Sequence, residues 1–384
     1  MKFAIDMRSS QEGIGGIPEY TSMIAYHCAQ MAPEHEFFLF YSGRNVYVPE
    51  WIKETKNVRV SVHTMPNKFT NARLHFFGRP YLDQVLRKET NTIIDAWFFP
   101  NLNFIALSPN QRSVITVHDV SFKRYPEFFS KKQRWWHSVV HPDILLLRSQ
   151  KIIAVSEHTK SDVIREFKTL ESKIEVTQLG FDTSFCLTSQ SSSTQIQKYG
   201  RAIVTYAGGD MRKNLDVIIH GYRLLRSMSS RFDDVSLHIV GRRGRWIGNS
   251  IHGVLKDYES NVHLYDGLSR SETISLMRQA SVFVYPSFYE GFGLPLLEAM
   301  SAGIPVIASP NSAILETAHN AAFFSDPYNP HAMARSLDML LSNTALRSRL
   351  NENAQRRINE YSWRKTASRT LSVLEQAVRT PLHI

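Results

Sequence analysis

Short apolar runs alternate with helix-length segments along nearly all of this 384-residue chain, and no other feature constrains the fold as strongly. Lys2–Asp6 reads as a strand and Ile17–Gln30 as the helix after it. Further runs follow at Glu36–Tyr41, Val58–Val62, Thr92–Phe98, Ser113–Val117, Ile152–Val155 and Ile174–Thr177, with helices over Ala72–Arg87 and Phe128–Arg148 between them. Alternation of this kind implies a parallel sheet covered by helices on both faces.

The pattern lapses between Ser184 and Tyr199, where Ser189, Ser191, Ser192, Ser193 and Thr194 give the composition of a linker. It then restarts, with strands at Ala202–Ala207, Val235–Val240, Val262–Tyr265, Val282–Tyr285 and Val306–Ser309. Helices over Asn214–Ser227, Ser271–Ala280 and Pro295–Ser301 separate some of these strands. The chain exceeds one ordinary core, and two α/β domains are the expectation. Residues 1–180 form the first, 181–200 a linker and 201–362 the second. Residues 363–384 form a last amphipathic helix that can belong to either half or cross back to the first. Ligands of such doubly wound sheets bind at the carboxyl ends of the strands, so functional motifs are expected directly after strands.

Composition narrows the class of partner. A net charge of +10 suits an anionic one, whether nucleotide, lipid surface or nucleic acid. The basic residues cluster between 121 and 151: Lys123, Arg124, Lys131, Lys132, Arg134, Arg148 and Lys151, interleaved with Phe128, Phe129, Trp135 and Trp136. A basic, aromatic helical stretch can rest on an anionic bilayer, and it can equally be an ordinary amphipathic helix with its aromatics in the core. No uninterrupted apolar run reaches the length of about 20 residues that a spanning helix needs. The opening Met1–Asp6 meets a charge too early for a secretory leader. These features lead to the expectation of a cytoplasmic protein, peripheral at most on the inner face of a membrane. Cys28 and Cys186 are far apart and fit no redox or ligand spacing.

The strongest motif is Glu290-Gly291-Phe292-Gly293-Leu294-Pro295-Leu296-Leu297-Glu298, after the Val282–Tyr285 run and opening a helix. Gly291 and Gly293 let backbone amides approach a ligand, and a helix N-terminus attracts phosphate. Glu298, one turn in, can accept hydrogen bonds from ribose hydroxyls, and Glu290 can meet hydroxyls of a sugar. Gly303 suits a left-handed helix cap, with Pro305 two residues later. Read through Ser309, the motif resembles the signature of glycosyltransferase family 4, and the resemblance extends through nearly the whole chain. It implies the GT-B architecture, in which two Rossmann-like α/β domains have parallel sheets facing across a cleft. It also implies retaining transfer from a nucleotide-sugar donor bound between the domains, with no metal or other cofactor.

The resemblance also assigns residues. Tyr206-Ala207-Gly208-Gly209-Asp210-Met211-Arg212-Lys213-Asn214 matches the loop in which an Arg and a Lys clamp the donor diphosphate, which implies Arg212 and Lys213 here. Cations there neutralise charge on a leaving phosphate in place of a metal ion. This loop is one residue shorter than the family pattern between the glycines and Arg212. Gly13-Ile14-Gly15-Gly16 resembles the family's glycine-rich first loop. His118, after the strand Ser113–Val117, matches a histidine that faces the transferred sugar, and Asp119 either orients it or caps the following turn. His118, Glu290, Lys213 and Arg212 are the expected catalytic residues. Gly13, Gly15, Gly16, Gly208, Gly209, Gly291, Phe292, Gly293, Leu294 and Glu298 are expected to hold the donor.

The implied reaction moves a hexose such as mannose, from GDP-mannose or a similar donor, to a glycan or lipid-linked glycan. Two rivals share the architecture: an epimerase acting on the nucleotide sugar, and a non-catalytic scaffold subunit. A nicotinamide oxidoreductase lacks its Gly-x-Gly-x-x-Gly fingerprint, and no motif supports nucleic-acid binding.

Overall fold

The computed structural model describes residues 1–11, 13, 15–65, 67–186, 201–207, 210–241 and 261–381. It divides into two compact units, Met1–Gly180 with Ser362–Ile384, and Phe181–Tyr361.

In the first unit β1 (Lys2–Asp6), β2 (Glu36–Ser42), β3 (Val58–His63), β4 (Ala96–Phe99), β5 (Ser113–Val117), β6 (Lys151–Ala154) and β7 (Ile174–Val176) form one sheet. Their order is β3-β2-β1-β4-β5-β6-β7, and the paired strands run parallel. In the second unit β8 (Arg201–Tyr206), β9 (Val235–Val240), β10 (Val262–Tyr265), β11 (Ala280–Tyr285), β12 (Val306–Ala308) and β13 (Ala322–Phe324) are also parallel. Their order is β10-β9-β8-β11-β12-β13. The central strands are apolar on both faces because helices cover both: all of Ser113–Val117 and Ala96–Phe99 are buried. Each sheet reverses direction beside its first strand, β1 lying between β2 and β4 and β8 between β9 and β11. Those two positions are the topological switch points where such sheets bind ligands.

The structure departs from the sequence expectation in several places. The expected helix over Ala72–Arg87 is two, Asn67–Phe77 and Leu82–Thr90, parted by Gly78–Tyr81, where Pro80 lacks the amide a helix interior needs. The expected strand Thr92–Phe98 is shorter: Asn91 ends the preceding helix in a left-handed cap, and the Asp95 carboxylate accepts from the Lys2 amide at 2.7 Å. The expected helix over Phe128–Arg148 is also two. Ser130 and Gln133 close a capping box on Lys131–Val140, and left-handed His141 (φ 51°) with Pro142 starts Pro142–Arg148 anew. Strand β13 and the helices Ser312–Ala318, Pro330–Ser342 and Thr344–Ile358 were not foreseen.

The terminal helix Trp363–Arg379 lies on the first unit and buries Trp363, Ala367, Leu371 and Leu374. Thr366 Oγ1 donates to Gln178 O at 2.9 Å. Gly180 makes that crossing possible, since a Cβ there would lie 2.1 Å from the Trp363 amide nitrogen. Phe181–Cys186, expected to begin the linker, belongs to the second unit, with Phe185 fully buried. Residues 187–200 of that expected linker lie outside the described residues.

Candidate active site

In the second unit, the loops leaving β8 and β11 meet because those strands are neighbours at the switch point. Asp210 caps the turn Met211–Lys213 and accepts from the Arg212 amide, which fixes the direction in which the next side chains leave. Lys213 Nζ lies 2.6 Å from Glu290 Oε1 and 2.7 Å from Tyr285 Oη, and 4.6 Å from the centre of the Tyr285 ring. Burial first, and then the adjacent Glu290 carboxylate, push the Tyr285 phenol well above its usual range, so it keeps its proton. Both side chains of the Lys213–Glu290 pair are mostly withdrawn from solvent, at 19% and 12% exposure. The Glu290 amide donates to Ser312 Oγ at 2.9 Å, which pins the loop from its other side.

Lys213 has three N–H donors, and Glu290 and Tyr285 take two of them. The third has no partner among the described residues, while the Glu290 carboxylate also bonds the Tyr285 hydroxyl. A cation with a donor to give and a carboxylate therefore stand side by side. That arrangement can hold an anionic group and a polyhydroxylated one at once.

Arg212 is turned differently. Its Nε and Nη2 form a two-pronged pair with Asp210, at 3.1 and 2.7 Å. Burial alone would raise the Asp210 carboxyl, and Arg212 outweighs it and holds it below the usual range. Gly208 and Gly209, expected in the same loop, lie outside the described residues.

The Glu290–Glu298 motif builds a loop and a helix. Gly293 is the N-cap of Leu294–Ser301 with φ +107°, a conformation side chains resist. Its neighbour Phe292 is buried, edge-on to Tyr361 at 5.6 Å, and its carbonyl accepts from Thr317 Oγ1. The Phe292 ring is thus an anchor for the loop, and only its backbone remains for a ligand. Glu298 is buried, and its Oε1 accepts from Arg270 Nη1 at 3.0 Å. Arg270 also reaches Asp182 Oδ2 through Nε and Nη2, and its guanidinium stands 4.6 Å from the Phe185 ring centre.

Arg270, Asp182 and Tyr285 were missed in the sequence. Ser269-x-x-Glu272 is a capping box that sets Arg270 in the first helical turn, so Ser269 and Glu272 gave a readable signal. Asp182 fell in the apparent linker, and Tyr285 looked like one more apolar strand residue.

In the first unit, the switch point lies beside β1. Gly13 has φ +92°, and Gly15 and Gly16 open the helix Gly16–Met31, all three exposed. His118 follows β5, and its Nε2 lies 2.8 Å from Pro100 O, at the end of the neighbouring strand β4. A donor on Nε2 leaves Nδ1 as the acceptor of the neutral ring. Burial lowers the His118 pKa, which favours that neutral form. Tyr20 stands edge-on to the ring at 4.8 Å and ties His118 to the helix that follows the glycine loop. Asp119 accepts from the Ser121 amide and hydroxyl, so it caps the next turn. Among the described residues no cluster of His, Cys, Asp or Glu is arranged to hold a metal ion, and no helix is long and apolar enough to cross a membrane.

Comparison with known proteins agrees with this geometry. The model of Glycosyltransferase Family 4 matches residues 14–185, and that of Glycosyl transferases group 1 matches residues 189–357. The chain is 29% identical over 278 residues to an O-antigen chain mannosyltransferase B from Escherichia coli, covering 70% of this chain and 72% of that one. It is 27% identical over 253 residues to an MMP alpha-(1->4)-mannosyltransferase from Mycolicibacterium hassiacum, covering 64% of this chain and 59% of the relative. Among solved structures, Anabaena HepE in complex with UDP-glucose superposes with a TM-score of 0.68 at 17% identity, over 97% of this chain and 99% of that one. The two matched segments together span residues 14–357 almost without a break, and the chain belongs to the family 4 glycosyltransferases.

Proposed function

We propose that the chain is a retaining, metal-independent hexosyltransferase that moves mannose from GDP-mannose, or a closely similar donor, to a glycan or lipid-linked glycan. The observation that carries this reading is the contact between Lys213 Nζ and Glu290 Oε1 at the switch point of the second sheet. The mannosyltransferase relatives support the choice of sugar, and the UDP-glucose complex of the Anabaena neighbour supports a nucleotide-sugar donor.

In this reading the free donor of Lys213, with the backbone amides around Gly291–Leu294, takes the donor phosphate, and Glu290 holds sugar hydroxyls. Glu298 holds the ribose, and His118 Nδ1 accepts from the transferred sugar. The acceptor oxygen bonds to the anomeric carbon as the carbon–phosphate-oxygen bond breaks on the same face, and the acceptor proton passes to the leaving phosphate. Negative charge grows on that phosphate, beside Lys213, where a fixed cation lowers the barrier. The exposed basic residues of 121–151 support peripheral contact with an anionic bilayer on the cytoplasmic side.

The test is nucleotide release from a panel of nucleotide sugars, with chelator present and with or without glycan acceptors. Release from one donor, accelerated by acceptor and giving an α-linked product from an α-linked donor, supports the reading. Conversion of a donor into its epimer with no free nucleotide favours an epimerase, and release without any acceptor dependence a hydrolytic side activity. Silence, with no thermal stabilisation by any nucleotide, favours a scaffold.

A further inference from the structure

The first unit carries a cavity of about 910 Å³ that no step above uses. It lies between the loop 104–109, the Lys131–Val140 and Pro142–Arg148 helices, and the residues around Phe77. Phe77, Phe104, Leu107, Val140, Leu145 and Leu147 form much of its wall. Apolar side chains continue outward past its mouth, with Phe77 75%, Leu147 74% and Leu170 67% exposed. Water-facing aromatic and aliphatic groups gathered at one opening mark a binding surface.

One cation lines the opening, and three more stand on a helix that forms part of its wall. Arg148 is the lining one, while Lys131, Lys132 and Arg134 stand exposed on the first turns of the helix whose last turn supplies Val139 and Val140. From Arg134 to Val140 is about 9 Å along the helix axis. None of these four cations has an ion-pair or hydrogen-bond partner among the described residues. Trp135, 59% exposed, sits among them, the placement a ring favours at a bilayer interface.

We propose that this cavity takes a hydrocarbon chain of an anionic phospholipid, with the headgroup phosphate held by Arg148 and the Lys131–Arg134 cations. The apolar wall and the unpaired cations call for a ligand that is apolar at one end and anionic at the other. The inference rests on the surface-contact part of the function proposed above and adds to it a site. Surface adsorption alone is electrostatic and screened by salt, whereas each methylene withdrawn into the wall multiplies affinity by about fourfold, independently of salt.

The full chain is sedimented with vesicles of phosphatidylcholine alone and of phosphatidylcholine containing phosphatidylglycerol, at low salt and at high salt. The expected result is binding to the anionic vesicles that weakens but persists at high salt. Two variants separate chain from surface: Ile144→Asn with Leu147→Gln at the exposed mouth, and Ala106→Phe inside the cavity. Each should keep the low-salt preference for anionic vesicles and lose the salt-resistant binding by tenfold or more, with unfolding temperatures close to that of the parent chain. Wild-type binding that vanishes at high salt, or variants that bind as the parent does, overturns the cavity while leaving surface contact standing. No binding to anionic vesicles at low salt overturns both. None of these outcomes depends on transferase activity.

Discussion

Lys213 and Glu290 are each other's nearest charge, and this makes their removal asymmetric. Lys213→Ala takes away the cation proposed to meet the phosphate and leaves Glu290 mostly buried without its partner. Glu290→Gln keeps a hydrogen-bonding group of the same shape beside Lys213. Turnover in Lys213→Ala is therefore expected to fall by about 10²-fold or more, and near-parental single-turnover rates would remove Lys213 from the phosphate. Glu290→Gln should fall less and bind nucleotide as before. Arg270 makes a different prediction. It holds one oxygen of Glu298 and is itself held by Asp182, so it orients the carboxylate expected to meet the ribose. Arg270→Ala should raise the donor KM roughly tenfold with kcat nearly unchanged, on the scale of one charge-assisted hydrogen bond. Arg270→Lys should recover part of that loss. A fall in kcat at unchanged KM would place Arg270 elsewhere in the reaction.

At the scale of elements, the close crossing at Gly180 is the sharpest constraint. A Cβ there would lie 2.1 Å from the Trp363 nitrogen and 2.5 Å from the Ser362 carbonyl carbon, both backbone atoms that cannot rotate away. Gly180→Ala should cost about 3 kcal/mol and lower the melting temperature by roughly 5–10 °C; an unchanged melt would mean that the terminal helix does not dock as described. A second element-level test is pH. His238, fully buried on β9, touches Ser236 Oγ at 2.8 Å and Tyr265 Oη at 2.9 Å. Burial, with His263 beside it, pushes its pKa down to about 4. The unfolded chain takes up this proton near the usual value of about 6.5 while the folded chain does not, so stability is lost as pH falls from about 6.5 toward 4. His238→Gln should flatten that part of the unfolding-midpoint curve relative to the parent, and parallel curves would refute the buried neutral ring. The same elements show what the sequence could tell. Strands such as Ser113–Val117 and Val235–Val240 were legible to the residue, because burial on both faces leaves short runs rich in β-branched and apolar residues with no charged side chain. The breaks at Pro80 and His141 were not, because the segments on both sides have helical periodicity, and a proline in the first case and a left-handed cap in the second decide the boundary. Glu290, Glu298 and Lys213 were legible from their motifs. Arg270 and Asp182 were not, because their pairing depends on two loops that only the fold brings together.

At the scale of the molecule, the net charge of +10 bears on the proposed metal independence. In the proposed reaction the leaving nucleoside diphosphate must be neutralised by something, and the cation proposed for that role is Lys213, held against Glu290. If the chain supplies this charge itself, saturating EDTA should leave kcat and donor KM unchanged, and added Mg²⁺ should not raise turnover. Ionic strength should act instead: a donor drawn by fixed cations is held less tightly as salt screens the approach, so the donor KM should climb between low and moderate salt while kcat, governed by the mostly buried Lys213, stays nearly level. A chelator-induced loss that Mg²⁺ restores would show that a metal ion shares the phosphate charge, and Lys213 would then be read as a partner of that ion and not as its replacement. A kcat that falls with salt in step with affinity would mean that the phosphate cation is open to solvent, against the 19% exposure of Lys213.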